Sequence, residues 1–139
     1  MATITKRPIP MNGIRMRNGG YPMIRVHTEV DSSTFKYGDL VYLNYGGSGG
    51  TLTVCGADPA LIYGIALADA TNVTTGNADI PVLVLTNDTE VAMNVYHATP
   101  ASATFTYPAG LGVAYEIVQT SARLWCIDIA ATSSTRVHV

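Results

Sequence analysis

Three histidines, ten acidic residues, seven serines and two cysteines are the groups in this 139-residue chain from which a catalytic site would be assembled. Their spacing forms no local nucleophile, base or metal motif. His138 lies one residue from the C-terminus, where side chains are seldom held firmly enough to act as a base. His97 follows Tyr96 at the end of a strand-like run and reads as an exposed or hydrogen-bonded histidine. Asp88-Thr89 is followed by Glu90, where an aspartic-protease loop needs glycine. Gly46-Gly47-Ser48-Gly49-Gly50 has the composition of a phosphate loop, but such a loop opens a helix and is usually followed by lysine with serine or threonine. Here Thr51-Leu52-Thr53-Val54 is strand-like and no lysine is near, so a hairpin tip is expected. Asp58, Asp69, Asp79 and Asp88 fall at intervals suited to successive turns of a β domain, with no EF-hand pattern. A calcium ion between loops stays open as an alternative. Cys55 and Cys126 are too few for a four-cysteine zinc site and sit in apolar runs, so they are expected as buried free thiols. No catalytic residue, metal or cofactor is assigned, and the chain is expected not to be an enzyme. An enzyme would have to bring His27 or His97 to an acid and a nucleophile in one cleft.

The elements that would position any such groups are strands. From Phe35 onward apolar residues fall in short period-two runs separated by turn residues. These runs are Leu40 to Tyr45, Thr51 to Cys55, Leu61 to Ala68, Ile80 to Thr86, Glu90 to Tyr96, Ala103 to Tyr107, Val113 to Gln119 and Arg123 to Ala130. Within the fifth, Val91, Met93 and Val95 share one face. In the last, Trp125, Ile127 and Ile129 share a face opposite Leu124 and Cys126. No window of ten or more residues carries a convincing helical pattern. The expected fold is all-β, a compact sandwich or barrel of seven or eight short strands. Buried positions should include Leu40, Leu52, Val54, Ile65, Val82, Val84, Val91, Met93, Val95, Trp125 and Ile127.

Composition agrees with this. Hydrophobic residues make up 47% of the chain and charged residues 13%, about half the usual charged share, which excludes a disordered chain or a coiled coil. Seventeen Thr, with Ser, Gly and Pro, supply polarity and turns instead. No apolar run reaches the roughly 18 residues of a membrane span, and residues 1–20 lack the apolar core of a signal peptide. A soluble product of the cytosol is expected, in which Asn72-Val73-Thr74 and Asn87-Asp88-Thr89 are turn residues and not glycosylation sites.

The net charge of −2 hides an asymmetry. Residues 1–25 carry +5 from Lys6, Arg7, Arg15, Arg17 and Arg25, whereas residues 26–122 carry −8. Pro8, Pro10, Gly13, Gly19, Gly20 and Pro22 interrupt any helix or long strand in the first segment. One domain with an arm is therefore read: an extended, basic and apolar N-terminal arm over 1–34, and a β domain over 35–139. Ile4, Ile9, Met11, Ile14, Met16, Tyr21, Met23 and Ile24 make the arm too apolar for a solvated tail. It should lie along a protein surface, belonging either to another chain or to its own domain. The candidate interface residues are Arg7, Ile9, Met11, Ile14, Arg15, Met16, Arg17, Tyr21, Met23 and Arg25. Nucleic acid is not the expected partner, because five charges spread along the segment in front of an acidic body make a poor phosphate clamp.

Three stretches carry a family resemblance: Phe35-Lys36-Tyr37-Gly38-Asp39-Leu40-Val41-Tyr42-Leu43, Gly50-Thr51-Leu52-Thr53-Val54-Cys55-Gly56-Ala57-Asp58, and Ile62-Tyr63-Gly64-Ile65-Ala66-Leu67-Ala68-Asp69-Ala70. A Gly-Asp-hydrophobic strand, a hairpin and a hydrophobic-Gly-hydrophobic-Ala strand in this order resemble the decoration, or cement, proteins on capsids of tailed bacteriophages. The likeness spans residues 35 to 95. Gly38-Asp39 would open a strand by a tight turn, and Gly64 would let a neighbouring backbone approach closely. The resemblance implies a non-enzymatic virion protein, made in the host cytoplasm, that binds the capsid exterior and clamps neighbouring major capsid subunits. It also implies a homo-oligomer, commonly a trimer, with no membrane partner. The long arm departs from the family pattern. A carbohydrate- or receptor-binding β module of a phage fibre or surface protein is the alternative, using exposed tyrosines and loop Asp or Asn residues.

Overall fold

The structure, a computed structural model, describes residues 8–46, 50–56, 59–97, 114–121, 123–130 and 137–138, with the backbone alone at 114, 137 and 138. It is all-β. Among the described residues a single 3-10 turn, Met11–Gly13, precedes eleven strands: β1 (Ile14–Met16), β2 (Ile24–Thr28), β3 (Leu40–Asn44), β4 (Thr51–Val54), β5 (Gly64–Ala66), β6 (Asp79–Val84), β7 (Thr89–Val91), β8 (Asn94–Tyr96), β9 (Ala114–Ser121), β10 (Leu124–Asp128) and β11 (Val137–His138). They form a two-stranded sheet β1-β7, a five-stranded sheet β2-β6-β5-β3-β4 and a four-stranded sheet β11-β9-β10-β8. The expected strand Ala103 to Tyr107 and the centre of the glycine-rich tip lie outside the described residues.

The five-stranded sheet is the frame. Every neighbouring pair in it is antiparallel. Beyond its last residue, β2 returns to the opposite edge: Glu29 bridges Leu52 in parallel sense, and Val30 N–H donates to Leu52 O at 3.0 Å. The two edges therefore meet at one end, and the sheet curls toward a barrel. Directly opposed residues point to the same face, so the register Leu40–Ile65–Leu83 defines one side and Ala66–Val82 the other. One apolar cluster holds Phe35, Val41, Leu52, Ala66, Ala70, Ile80 and Val82. The other holds Leu40, Ile65 and Leu83 together with Ile9, Cys55, Ile117 and Trp125, and so joins this sheet to the β9–β10 hairpin. Burial on both faces explains why β6 reads as a nearly continuous apolar run.

Gly64 fits its expected role. A Cβ there would lie 2.3 Å from Leu83 O and 2.6 Å from a Val82 methyl, so only glycine lets β5 and β6 approach this closely. Gly38, at φ +89°, turns the chain into β3. The buried Asp39 fastens that turn by accepting from Lys36 N–H at 2.8 Å, and reaches across the core to accept from the Trp125 indole N–H at 3.1 Å. One carboxylate thus ties a turn to the second sheet.

Three expectations need correction. Residues 8–34 are not an arm apart from a domain beginning at 35. They supply β1 to the pair with β7 and β2 to the five-stranded sheet, and Ile9 is 3% exposed in the core. Their Pro and Gly punctuation separates two short alternating strands, Ile14-Arg15-Met16 and Ile24-Arg25-Val26-His27-Thr28. Strands are more numerous than expected because residues 8–34 supply β1 and β2, β11 follows the last expected run, and one run is divided. Glu90 to Tyr96 breaks into β7 and β8, which pair with different partners, and Val95 is exposed. Val54, Val84, Val91 and Met93 are half-buried at the margins. Trp125, Cys126 and Ile127 are all buried, as expected, so β10 has no solvent face at its centre.

Candidate interaction surface

The candidate residues divide into an inward and an outward set. Ile9 is buried in the core, Met11 and Ile14 pack half-buried against it, and Met16 is half-buried. These residues are spent on the chain's own fold. Arg15, Arg17, Tyr21, Met23 and Arg25 are exposed. Arg7 lies outside the described residues.

Local sequence explains the outward set. In β1, Arg15 is the exposed member of an alternating triplet, and its register partner on β7 is Glu90. Arg15 Nε donates to Glu90 Oε2 at 2.5 Å, and Arg17 Nε lies 3.8 Å from Oε1 of the same carboxylate. One acid is shared by two guanidinium groups, and the pair leaves a net positive surface. Exposed pairs of this kind contribute about 0–1 kcal/mol, so they orient the strands more than they stabilise them. Beyond Met16, Gly19 at φ +75° donates to Met16 O at 3.0 Å, and Gly20 N–H donates to Asn18 Oδ1 at 2.9 Å. This turn carries the chain toward β2 and leaves Tyr21 98% exposed, followed by Met23, Ile24 and Val26, all exposed. The segment from Arg15 to Val26 thus exposes four large apolar side chains together with Arg15, Arg17 and Arg25, and Arg25 Nε lies 3.4 Å from Met23 Sδ. A shallow groove of about 410 Å³ beside β1 is lined by Asn12, Gly13, Arg15, Glu90, Val91 and Ala92. It offers an ion pair between apolar walls, with no nucleophile and base set against each other.

The titratable groups that sequence alone left open have structural partners. His27 Nε2 is 2.8 Å from the Tyr63 hydroxyl, and the two rings meet edge-to-face with centroids 5.0 Å apart. His97 is half-buried, and the side chain of His138 lies outside the described residues. Asp69 accepts from Tyr37 N–H at 2.8 Å and pairs with Lys36, contacts that hold its carboxyl below the ordinary range. Cys55 and Cys126 are buried free thiols. Burial, reinforced by the Asp39 carboxylate, pushes the Cys55 thiol up to about 12. Among the described residues, no three His, Cys, Asp or Glu side chains come together to hold a metal ion.

Glu29 escaped sequence reasoning altogether. It is 1% exposed and has no basic partner among its hydrogen bonds. Its carboxylate accepts from Thr71 N–H at 2.9 Å, from Ala78 N–H at 3.1 Å and from the Thr71 hydroxyl. With Ser32 N–H donating to Val73 O at 2.7 Å, these contacts fasten the 70–78 loop over the end of the curled sheet. No local motif announces the role, because its partners lie more than forty residues away.

Comparison with protein-family models, with curated proteins and with solved structures returned no match.

Proposed function

We propose that this protein is a structural virion component that binds the outer surface of a tailed-phage capsid and stabilises it by clamping neighbouring major capsid subunits. The observation that carries the reading is the exposure, within the one segment from Arg15 to Val26, of Tyr21, Met23, Ile24 and Val26 together with three arginines. Exposed apolar side chains rimmed by charge are a feature of interaction surfaces, and tyrosine and arginine are the residues that most often anchor them. The resemblance of residues 35–95 to cement proteins supplies the partner, a major capsid protein, and the homotrimeric state. The buried acids and the thiols are accounted for by packing and internal hydrogen bonds, which suits a protein whose task is to persist on a shell.

The test is attachment to purified mature shells that lack the protein, followed by cosedimentation and cryo-electron microscopy. Tyr21→Ala and Arg25→Glu should each weaken attachment, about tenfold for the loss of a central anchor, with the fold unchanged by circular dichroism. Raising salt should weaken it only in part, because apolar burial is not screened. Absence of shell binding overturns the reading. Selective binding to a glycan array would replace it by a carbohydrate- or receptor-binding module.

A further inference from the structure

The free edge of β2 has a self-complementary geometry. Val84 N–H donates to Met23 O at 2.8 Å, and the register places Ile24 opposite Leu83. Hydrogen-bonded and non-hydrogen-bonded pairs alternate along an antiparallel ladder. Arg25 with Val82 and His27 with Ile80 are therefore the inward-bonded pairs, and Glu29 N–H donating to Ala78 O continues the same phase. The N–H and C=O groups of Ile24 and Val26 then point away from β6. Upstream of the Glu29–Leu52 bridge, no strand among the described residues pairs with that side. The side chains add to the liability: Ile24 and Val26 lie on one face and are 58% and 59% exposed. An uncovered edge with apolar side chains is a template for another strand.

We infer that β2 pairs antiparallel with β2 of a second copy across a two-fold axis through Val26. Such an axis passes through either a hydrogen-bonded or a non-hydrogen-bonded pair; an axis through Arg25 would set two arginines directly opposite each other, which is unfavourable, whereas Val26 is the outward residue at the centre of the strand. Val26 then exchanges both hydrogen bonds with the second copy's Val26, and Ile24 faces the second copy's Thr28. The four Ile24 and Val26 side chains line up in one apolar stripe. Charge selects the same direction. Arg25 is exposed near the start of β2, whereas Asp79, which accepts from the Thr28 hydroxyl at 2.8 Å, and Asp31 are exposed at its end. Antiparallel pairing sets the basic start of one strand toward the acidic end of the other, and parallel pairing would set like charges together. The contact joins the two five-stranded sheets into one. It does not rest on the capsid reading: within an oligomer built through other surfaces, it links neighbouring oligomers.

The experiment uses the full chain in analytical ultracentrifugation and mild oxidative cross-linking. In an inter-strand hydrogen-bonded pair the Cα atoms lie about 5.5 Å apart, inside the roughly 4.4–6.8 Å range of disulfides. Val26→Cys should therefore cross-link two chains, whereas Ile24→Cys, placed opposite the second copy's Thr28, should do so far less. Val26→Pro removes an outward N–H and leaves the ladder to β6 intact, a position where an edge strand tolerates proline. It should raise the dissociation constant of the self-associated species about tenfold or more, with circular dichroism unchanged. Equal cross-linking at 24 and 26, or a mass distribution that Val26→Pro leaves unaltered, overturns the pairing. Should Val26→Pro fail to fold, the two cysteine variants decide alone. Shell attachment is scored separately, so loss of self-pairing with retained attachment distinguishes this inference from the proposed function.

Discussion

Replacing Glu29 by Gln isolates what a buried carboxylate without a cation contributes. Glu29 accepts three hydrogen bonds, from Thr71 N–H, Ala78 N–H and the Thr71 hydroxyl. Burial by itself pushes its carboxyl up, but the hydrogen bonds from the Thr71 hydroxyl, Ala78 N–H and Thr71 N–H outweigh it and hold the pKa below the ordinary 4.5. Glutamine keeps the shape and one acceptor oxygen, yet turns an NH2 group toward a donor. A hydrogen bond to a charged group contributes about 1.5–3 kcal/mol and an unsatisfied buried polar group costs about 1–3 kcal/mol. The change should therefore cost about 2–3 kcal/mol at pH 7, and Glu29→Ala somewhat more. With a urea slope of about 1–3 kcal/mol per molar, the unfolding midpoint should fall by roughly 1 M or more. The pH dependence has a definite sign. The folded-state pKa lies below the unfolded one, so the stabilisation is complete above about 4.5 and is lost as pH falls through the lowered folded value. The gap between wild type and Glu29→Gln should be largest at neutral pH and shrink steadily in acid. Equal midpoints at pH 7, or a gap that persists undiminished at about pH 2, would refute the assignment of Glu29 as the fastening of the 70–78 loop.

Gly64→Ala should cost about 3 kcal/mol or more, because the new Cβ meets backbone that cannot yield, whereas Gly56→Ala, with open space around it, should change little; paired denaturant melts compare them. Ile9→Ala should destabilise by about 2–5 kcal/mol, as measured by thermal or urea unfolding, and no change would restore the picture of a separate arm. Cys55 and Cys126 should resist alkylation in the native state and react on unfolding, with intact mass showing no linked pair; prompt native labelling of Cys55 would contradict its burial and its raised pKa. The indole of Trp125 should emit as a buried chromophore and shift to the red on unfolding. Asp39→Ala should lower stability by about 1–3 kcal/mol, since it leaves that indole N–H without its acceptor.

Much of the architecture was legible in local pattern. The β3–β4 hairpin, the turn at Gly38-Asp39, the close approach at Gly64 and the strand β6 all follow from alternation and from what glycine permits, which are properties of a few consecutive residues. The free thiols follow from two cysteines set in apolar runs. Local pattern did not decide where the first thirty-four residues go. Prolines and glycines mark where short strands end, but only the hydrogen-bonding partners available in the folded chain make β1 and β2 members of sheets. The division of the candidate residues was half legible for the same reason: alternation in Arg15 and Arg25 marks an outward face, whereas the inward turn of Ile9, Met11 and Ile14 depends on the core they pack against. The role of Glu29 was not legible at all, nor was the reach of Asp39 beyond its turn to Trp125. A carboxylate's meaning is set by the donors around it, and those donors, Thr71, Ala78 and Trp125, arrive from more than forty positions away. Period and propensity act along the chain, and so determined which residues form strands; the closure of the curled sheet and the identity of its free edge are long-range pairings, which only the tertiary structure selects.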